Sequence, residues 1–159
     1  MLNVFYYETK IGRIRITEDD RSITGIILEP KEEREHSSQY HQEETTLIRE
    51  ASKQLNEYLE GSRREFTVPL NPQGTVFQKR VWEALRDIPY GETRSYQQIA
   101  EAVGNGKASR AVGMANHNNP IICMIPCHRV IGANGSLVGY AGGLDVKKQL
   151  LELEHRKDV

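Results

Sequence analysis

The sequence is poor in the features that secretion, membrane insertion and disulfide bonding require. Only two cysteines occur in 159 residues, Cys123 and Cys127. They stand four apart in a segment expected to be extended, which disfavours a bond between them, and two cysteines make no disulfide framework. Reduced thiols in a reducing compartment are the expectation. No run of about 18 apolar residues is present, so no membrane span is expected. The opening MLNVFYYETK has no basic segment followed by an apolar one and does not read as a signal peptide. A cytoplasmic protein is expected, or a nuclear one in a eukaryote. Cys-x-x-x-Cys-His offers a metal two sulfurs and one imidazole, but ligands this close along the chain rarely reach one tetrahedral ion. No cysteine precedes Cys123. Neither a metal nor another cofactor is expected.

The chain also lacks a strong charge of either sign, since its net charge is −1. That value conceals an asymmetry. Residues 1–73 hold 10 basic and 14 acidic side chains, and residues 74–159 hold 11 and 8. A basic half beside an acidic one hints at a polyanion partner for the basic half. Hydrophobic content of 38% and charged content of 27% are those of an ordinary globular protein.

Residues 3–8, 11–18 and 22–29 read as three short strands, with Ile14 and Ile16 on one face by period-two alternation. Residues 30–45 are polar and aperiodic, a loop. Leu47, Ile48, Ala51, Leu55, Tyr58 and Leu59 recur at helical spacing, and Gly61 closes the helix. REFTVPL, 64–70, reads as a further strand. The turn formers of NPQGT, 71–75, mark a domain boundary, giving domains 1–73 and 74–159. Beyond it, Val76, Phe77, Val81, Trp82 and Leu85 mark an amphipathic helix that ends before Pro89. Ser95 with Gln98 fits a capping box opening a short helix. GNGK is a tight turn, and a second short helix runs from about Ala108 to Asn116. Two short helices around a glycine turn are the helix-turn-helix signature. ANGSLVGYAGG reads as a glycine-rich loop or hairpin. Leu144, Val146, Leu150, Leu151 and Leu153 mark a last amphipathic helix.

Two features invite chemistry, and each has a plain alternative. The second short helix carries Lys107 and Arg110 among small residues, a pattern that lets a helix approach a phosphate backbone closely. Packing of the small residues on a neighbouring helix, with Arg110 solvated, explains it equally well. NNPIICMIPCHRVIG, 118–132, is an apolar run ending in Cys127-His128-Arg129. A free cysteine there is most often an inert core residue, and Cys123 reads that way. Pro126 before Cys127 and two basic residues after it favour a lowered thiol pKa and a nucleophile.

IPCHRV, 125–130, resembles the active-site motif of the O6-alkylguanine-DNA alkyltransferases, the methylated-DNA–protein-cysteine methyltransferases. PYGETRSYQQIA, ASRAVGMANHNNP and GYAGGLDVKKQLLELE resemble further segments of that family, in its order and spacing. The resemblance covers about 75–154 and is looser before that. It implies an α+β chain: a small ribonuclease-H-like mixed domain, then a mainly helical, winged helix-turn-helix domain. It implies direct reversal of DNA damage, in which Cys127 takes an alkyl group irreversibly from O6 of guanine, or from O4 of thymine, in a flipped-out nucleotide. His128 would take the thiol proton through a bridging water, Glu154 would orient His128, Tyr96 would donate to the guanine, and Asn119 would brace the active-site segment. Adjacent residues of an extended segment do not face each other, so a water relay or a local turn is needed.

The same resemblance implies that Arg129 is structural. The pocket would be formed by Tyr140, Ala141, Val130, Val138 and Ile122, with stiff Val138 and Ile122 narrowing it against bulky substituents. Ser95, Lys107, Ala108, Arg110, Ala111 and Ala115 would meet double-stranded DNA. Contact would be through the minor groove without sequence specificity, by a protein that is a monomer in solution, with Arg110 filling the gap left by the flipped base. The competing readings are a lesion binder without chemistry, a winged-helix regulator and a cysteine hydrolase that turns over.

Overall fold

The computed structural model describes residues 2–29, 40–135, 140 and 143–155. By internal contacts the chain divides into two compact units, Met1–Gln73 and Gly74–Val159. The chain is α+β, with a small sheet in the first unit and helices dominating the second.

The first unit is a four-stranded sheet carrying one helix. Strands β1 (Leu2–Thr9), β2 (Gly12–Glu18), β3 (Ile23–Leu28) and β4 (Tyr40–Gln42) lie in the order β3-β2-β1-β4. The first three form an antiparallel meander, and β4 joins β1 in parallel. β4 lies within the stretch expected to be loop. Its three residues carry no apolar alternation, and pairing with the free edge of β1 supplies the hydrogen bonds that make them a strand. Phe5 pairs with Ile16 and Tyr7 with Ile14. Ile14, Ile16, Ile23 and Ile26 are fully buried, as are Ile48, Ala51, Leu55 and Tyr58 of helix α1 (Thr46–Leu59). Thr45 caps α1, its side chain accepting from the Ile48 amide at 3.2 Å. Gly61 follows the helix at φ 87°, a conformation glycine adopts without strain.

REFTVPL is not a strand. Its contact with the sheet is one bridge, where Ile23 N–H donates to Pro69 O at 2.8 Å and Asn71 N–H donates to Ile23 O at 2.8 Å. Pro69 has no N–H to extend a ladder. Upstream, the buried Gln54 amide replaces a strand partner: it accepts from Thr67 N at 2.9 Å and donates to Thr67 Oγ1 at 2.7 Å.

The second unit holds helices α2 (Val76–Arg86), α3 (Tyr96–Ala102), α4 (Ser109–His117) and α5 (Leu144–His155). It also holds a two-residue parallel pair, β5 (Arg94–Ser95) with β6 (Val130–Ile131). Helices α2 and α3 each open with a complete capping box, Thr75 with Gln78 and Ser95 with Gln98. Gly104, at φ 87°, turns the chain between α3 and α4. Helices α2, α3 and α4 pack together. Trp82 of α2 is buried among them, and its indole N–H donates to Ala115 O at 2.8 Å. Gly74 makes room for this ring, because a Cβ there would sit 2.5 Å from Trp82 Cη2. No helix among the described residues is long and apolar enough to cross a membrane.

The indole bond generates a stability prediction. Trp82→Phe keeps the ring in the core but leaves the buried Ala115 carbonyl without its donor. The expected loss is about 1–3 kcal/mol, read as a lower midpoint in urea unfolding with an unchanged slope.

Candidate active site

Cys127 does not lie in an extended segment. Pro126, at φ −81° and ψ 63°, forms an inverse γ-turn in which Cys127 N donates to Ile125 O at 2.8 Å. A 3-10 turn, Cys127–Arg129, follows at once, with Arg129 N donating to Pro126 O at 3.0 Å. Asn119 holds the entry from the side. Its Nδ2 donates to Ile125 O at 2.8 Å and its Oδ1 accepts from Ile121 N at 3.0 Å. Two tight turns in succession bring the adjacent side chains of His128 and Arg129 to one carboxylate, which an extended strand, alternating its side chains between faces, does not do.

Glu154, on α5, collects the products of that turn. His128 Nε2 lies 2.6 Å from Glu154 Oε2. Arg129 donates through Nε to Oε1 at 2.8 Å and through Nη2 to Oε2 at 3.0 Å. Gly91 N adds a bond to Oε1 at 3.1 Å. Gly91 sits at φ 82°, and a Cβ on it would meet the Glu154 backbone oxygen at 3.4 Å, so glycine suits both the turn and the approach. Arg129 Nη1 donates to Ile88 O at 2.7 Å, and its guanidinium lies 5.7 Å from the centre of the Tyr90 ring. His128, Arg129 and Glu154 are all buried.

The electrostatics follow from that burial. The expected lowering of the Cys127 thiol is reversed, because loss of solvent pushes it up to about 11. A hydrogen bond from Asn119, the charge of Lys147 and the backbone amides of Cys127 and His128 oppose the rise. Burial lowers the His128 pKa, overriding the Glu154 carboxylate, so the imidazole is neutral at pH 7. Burial and then the charge of Cys127 raise the Tyr96 phenol, which keeps it protonated. Cys123 is buried as well, and its thiol is pushed up further than that of Cys127.

The remaining expected site residues fall into place unevenly. Tyr96 opens α3 and is half-buried, and its ring would lie 3.9 Å from a Cβ placed on Gly113. Val130, Ile122 and Tyr140 are buried. Val138 and Ala141 lie outside the described residues. Lys107, Arg110 and Ala111 are exposed, Ala108 is half-buried, and the Ser95 hydroxyl accepts from Gln98 N at 3.1 Å.

Ala115 requires correction as a DNA contact. It is 2% exposed, on the face that α4 shares with Val112 and Asn116, and its carbonyl is taken by Trp82. At 100° per residue it lies about 140° from Arg110, though only about 40° from Ala111. The large exposed side chain on their face is Met114.

Three residues near the thiol escaped the reading of the sequence. Asn116 Nδ2 donates to Cys127 O at 3.3 Å, Lys147 Nζ donates to Val130 O at 2.5 Å, and Gly91 anchors Glu154. Lys147 had one available signal. It stands seven residues before Glu154, and helical spacing puts the two on one face with Leu150 and Leu151. That face is the buried one, whereas Leu144, expected to be apolar contact, is half exposed. Among the described residues no cluster of three His, Cys, Asp or Glu side chains is placed to hold a metal ion.

Both units match models of one family. Residues 4–72 match the ribonuclease-like domain of 6-O-methylguanine DNA methyltransferase, and residues 76–156 match its DNA binding domain. The chain is 50% identical over 149 residues to a methylated-DNA–protein-cysteine methyltransferase of Methanosarcina acetivorans, covering 93% of this chain and 95% of that one. It is 46% identical over 151 residues to the constitutive enzyme of that name in Bacillus subtilis, covering 92% of each. The structure of Mycobacterium tuberculosis OGT in complex with DNA superposes with a TM-score of 0.88 at 42% identity, covering 96% of this chain and 92% of that one. With both units matched and half its residues shared along nearly its whole length, this chain belongs to the family of methylated-DNA–protein-cysteine methyltransferases.

Proposed function

We propose that this protein repairs alkylated DNA by moving the alkyl group from O6 of guanine to Cys127, once per molecule. The observation that carries the reading is the buried turn that joins Cys127 to the His128–Glu154 pair. It is the base-and-orienter arrangement of an activated nucleophile.

Glu154, held anionic by Arg129 and the Gly91 amide, fixes the His128 tautomer with a proton on Nε2, which leaves Nδ1 as the acceptor nitrogen. Nδ1 takes the thiol proton through a bridging water. Sγ then attacks the alkyl carbon as its bond to O6 breaks, and guanine leaves with the electron pair. Tyr96, kept as a phenol by its surroundings, donates a proton to the departing base. The thioether is not hydrolysed, so the protein is consumed.

A stacked base does not reach a buried thiol, so the nucleotide must leave the duplex. Helix α4 supports that step. Arg110 is exposed on it and Lys107 in the turn just before it, and Ala111 beside Arg110 keeps its outward face low. Arg110 fills the gap in the stack, small residues suit the minor groove, and phosphate contacts without base readout suit damage that occurs in any sequence. O4-alkylthymine presents the same alkyl–oxygen bond and is a second substrate. The protein acts as a monomer.

The test is incubation with duplex DNA carrying radiolabelled O6-methylguanine. Label should pass to the protein in stoichiometric amount. Tight binding without label would favour a lesion binder or a regulator, and repeated release a hydrolase. Cys127→Ala should lose transfer and keep duplex affinity, whereas Cys123→Ala should keep transfer. Peptide mapping of the label to Cys123 would reassign the nucleophile.

Arg110→Ala should slow transfer from duplex DNA far more than transfer from the free base, by about tenfold or more for each 1.4 kcal/mol of lost support for the extrahelical state. Equal losses on both substrates would remove the gap-filling role.

The pH profile follows from His128. Its lowered pKa keeps the neutral, proton-accepting form present below the ordinary value of 6.5. Single-turnover rates between about pH 5 and pH 8 should hold down to pH 6.5 and fall only below it, as the imidazole is protonated.

A further inference from the structure

Three large apolar side chains are exposed among the described residues: Val76, Leu144 and Met114. Val76 and Leu144 are the first residues of α2 and α5. Single exposed hydrophobes are ordinary on a protein surface, but the place of Met114 is not. Helix α4 has an inner and an outer side. Val112, Ala115 and Asn116 are buried on the inner side. Ser109 is tied to α3, its hydroxyl donating to Gln97 Oε1 at 2.8 Å. A Cβ on Gly113 would sit 3.9 Å from the Tyr96 ring, so that flank also faces α3. Arg110, Ala111, Met114 and His117 are exposed. At about 100° per residue, Met114 stands between Arg110 and Ala111, about 40° from one and about 60° from the other, at the crest of the outer side. It lies about 6 Å along the axis from Arg110, one turn away. Met114 is 64% exposed.

We propose that Met114 is a second contact of α4 with the duplex, an apolar positioning residue that packs on the sugar edges of the minor groove one turn from Arg110 and supports the extrahelical nucleotide. The inference rests on the reading that Arg110 enters the vacated stack from α4. A helix that puts Arg110 into the gap brings the next side chain of its crest to the same groove.

The chemistry of the two side chains is complementary. Arg110 carries charge and fills the gap. Met114 carries none, and it lies on the C–H surface of the deoxyribose, where both surfaces lose water. An unbranched thioether with three rotatable bonds adapts to a groove whose width varies with sequence, as damage at any position requires. Ala111 and Gly113 beside it have no side chain long enough to make the contact. Apolar wedges in the minor groove open base steps, and a contact made only with the opened duplex shifts the equilibrium towards it.

The measurement is single-turnover transfer from duplex O6-methylguanine at saturating protein, divided by the rate from the free base. Met114→Ala should lower this ratio about tenfold, the effect of one buried methionine side chain. Met114→Leu should keep most of the ratio, whereas Met114→Gln, similar in length but polar, should lose as much as alanine. A second readout is the salt dependence of affinity for undamaged duplex. Met114→Ala should leave the slope unchanged, because an apolar side chain releases no counterion, while Arg110→Ala makes it shallower. A ratio unchanged in Met114→Ala, or restored in full by glutamine, overturns the proposal. Arg110→Ala in the same assay separates the failures. If it too keeps the wild-type ratio, the reading of α4 falls and this inference falls with it. If it loses the ratio while Met114→Ala keeps it, this inference alone falls.

Discussion

The buried carboxylate of Glu154 is the constraint on which the second unit depends. Four donors converge on its two oxygens: the imidazole of His128, two nitrogens of Arg129 and the amide of Gly91. An ion pair inside a protein is weak evidence for stability, but removing one partner leaves a bare charge at a cost of about 3–5 kcal/mol. The arrangement here meets the conditions under which such a pair is tolerated, since further hydrogen bonds satisfy the remaining polar atoms. Burial, and after it the charge of Arg129, outweigh the carboxylate, so His128 is oriented without being forced to hold a second proton.

The same carboxylate links chain segments that are distant in sequence. The turn at Gly91, the 3-10 turn at Cys127 and the last helix meet at one point, 63 residues apart at the extremes. Local sequence prepares each of them to arrive. Pro126 sets a γ-turn, Gly91 takes a positive φ, and α5 presents Glu154 one turn beyond Leu150 and Leu151. The reactive thiol is thus a product of geometry imposed from three sides.

How far this was readable in the sequence depends on the range of the interaction. The three meander strands announced themselves by alternation, and the helix after Ser95 by the reach of Gln98, because both are settled within a few residues. REFTVPL has strand composition, but Gln54 and Pro69 divert its hydrogen bonds, and neither effect shows in the segment's own pattern. Ala115 reads as one more small residue beside Arg110 until Trp82 claims its carbonyl. Lys147 reads as solvated charge on an amphipathic helix, because a buried lysine makes sense only once its neighbours in space are known. The motif around Cys127 carried the family but not the turn that makes three adjacent residues useful.

Asn116 has a consequence for timing. Its side chain runs from the inner face of α4 to the carbonyl of Cys127, 3.3 Å away. The helix proposed to lie against the duplex and the atom proposed to react with it are therefore parts of a single stiff lever. Such a lever needs no signal to tell the chemistry that DNA has arrived. In the proposed reaction the protein itself has little to rearrange, and the slow coordinate belongs to the nucleic acid, in the excursion of one nucleotide from its stack.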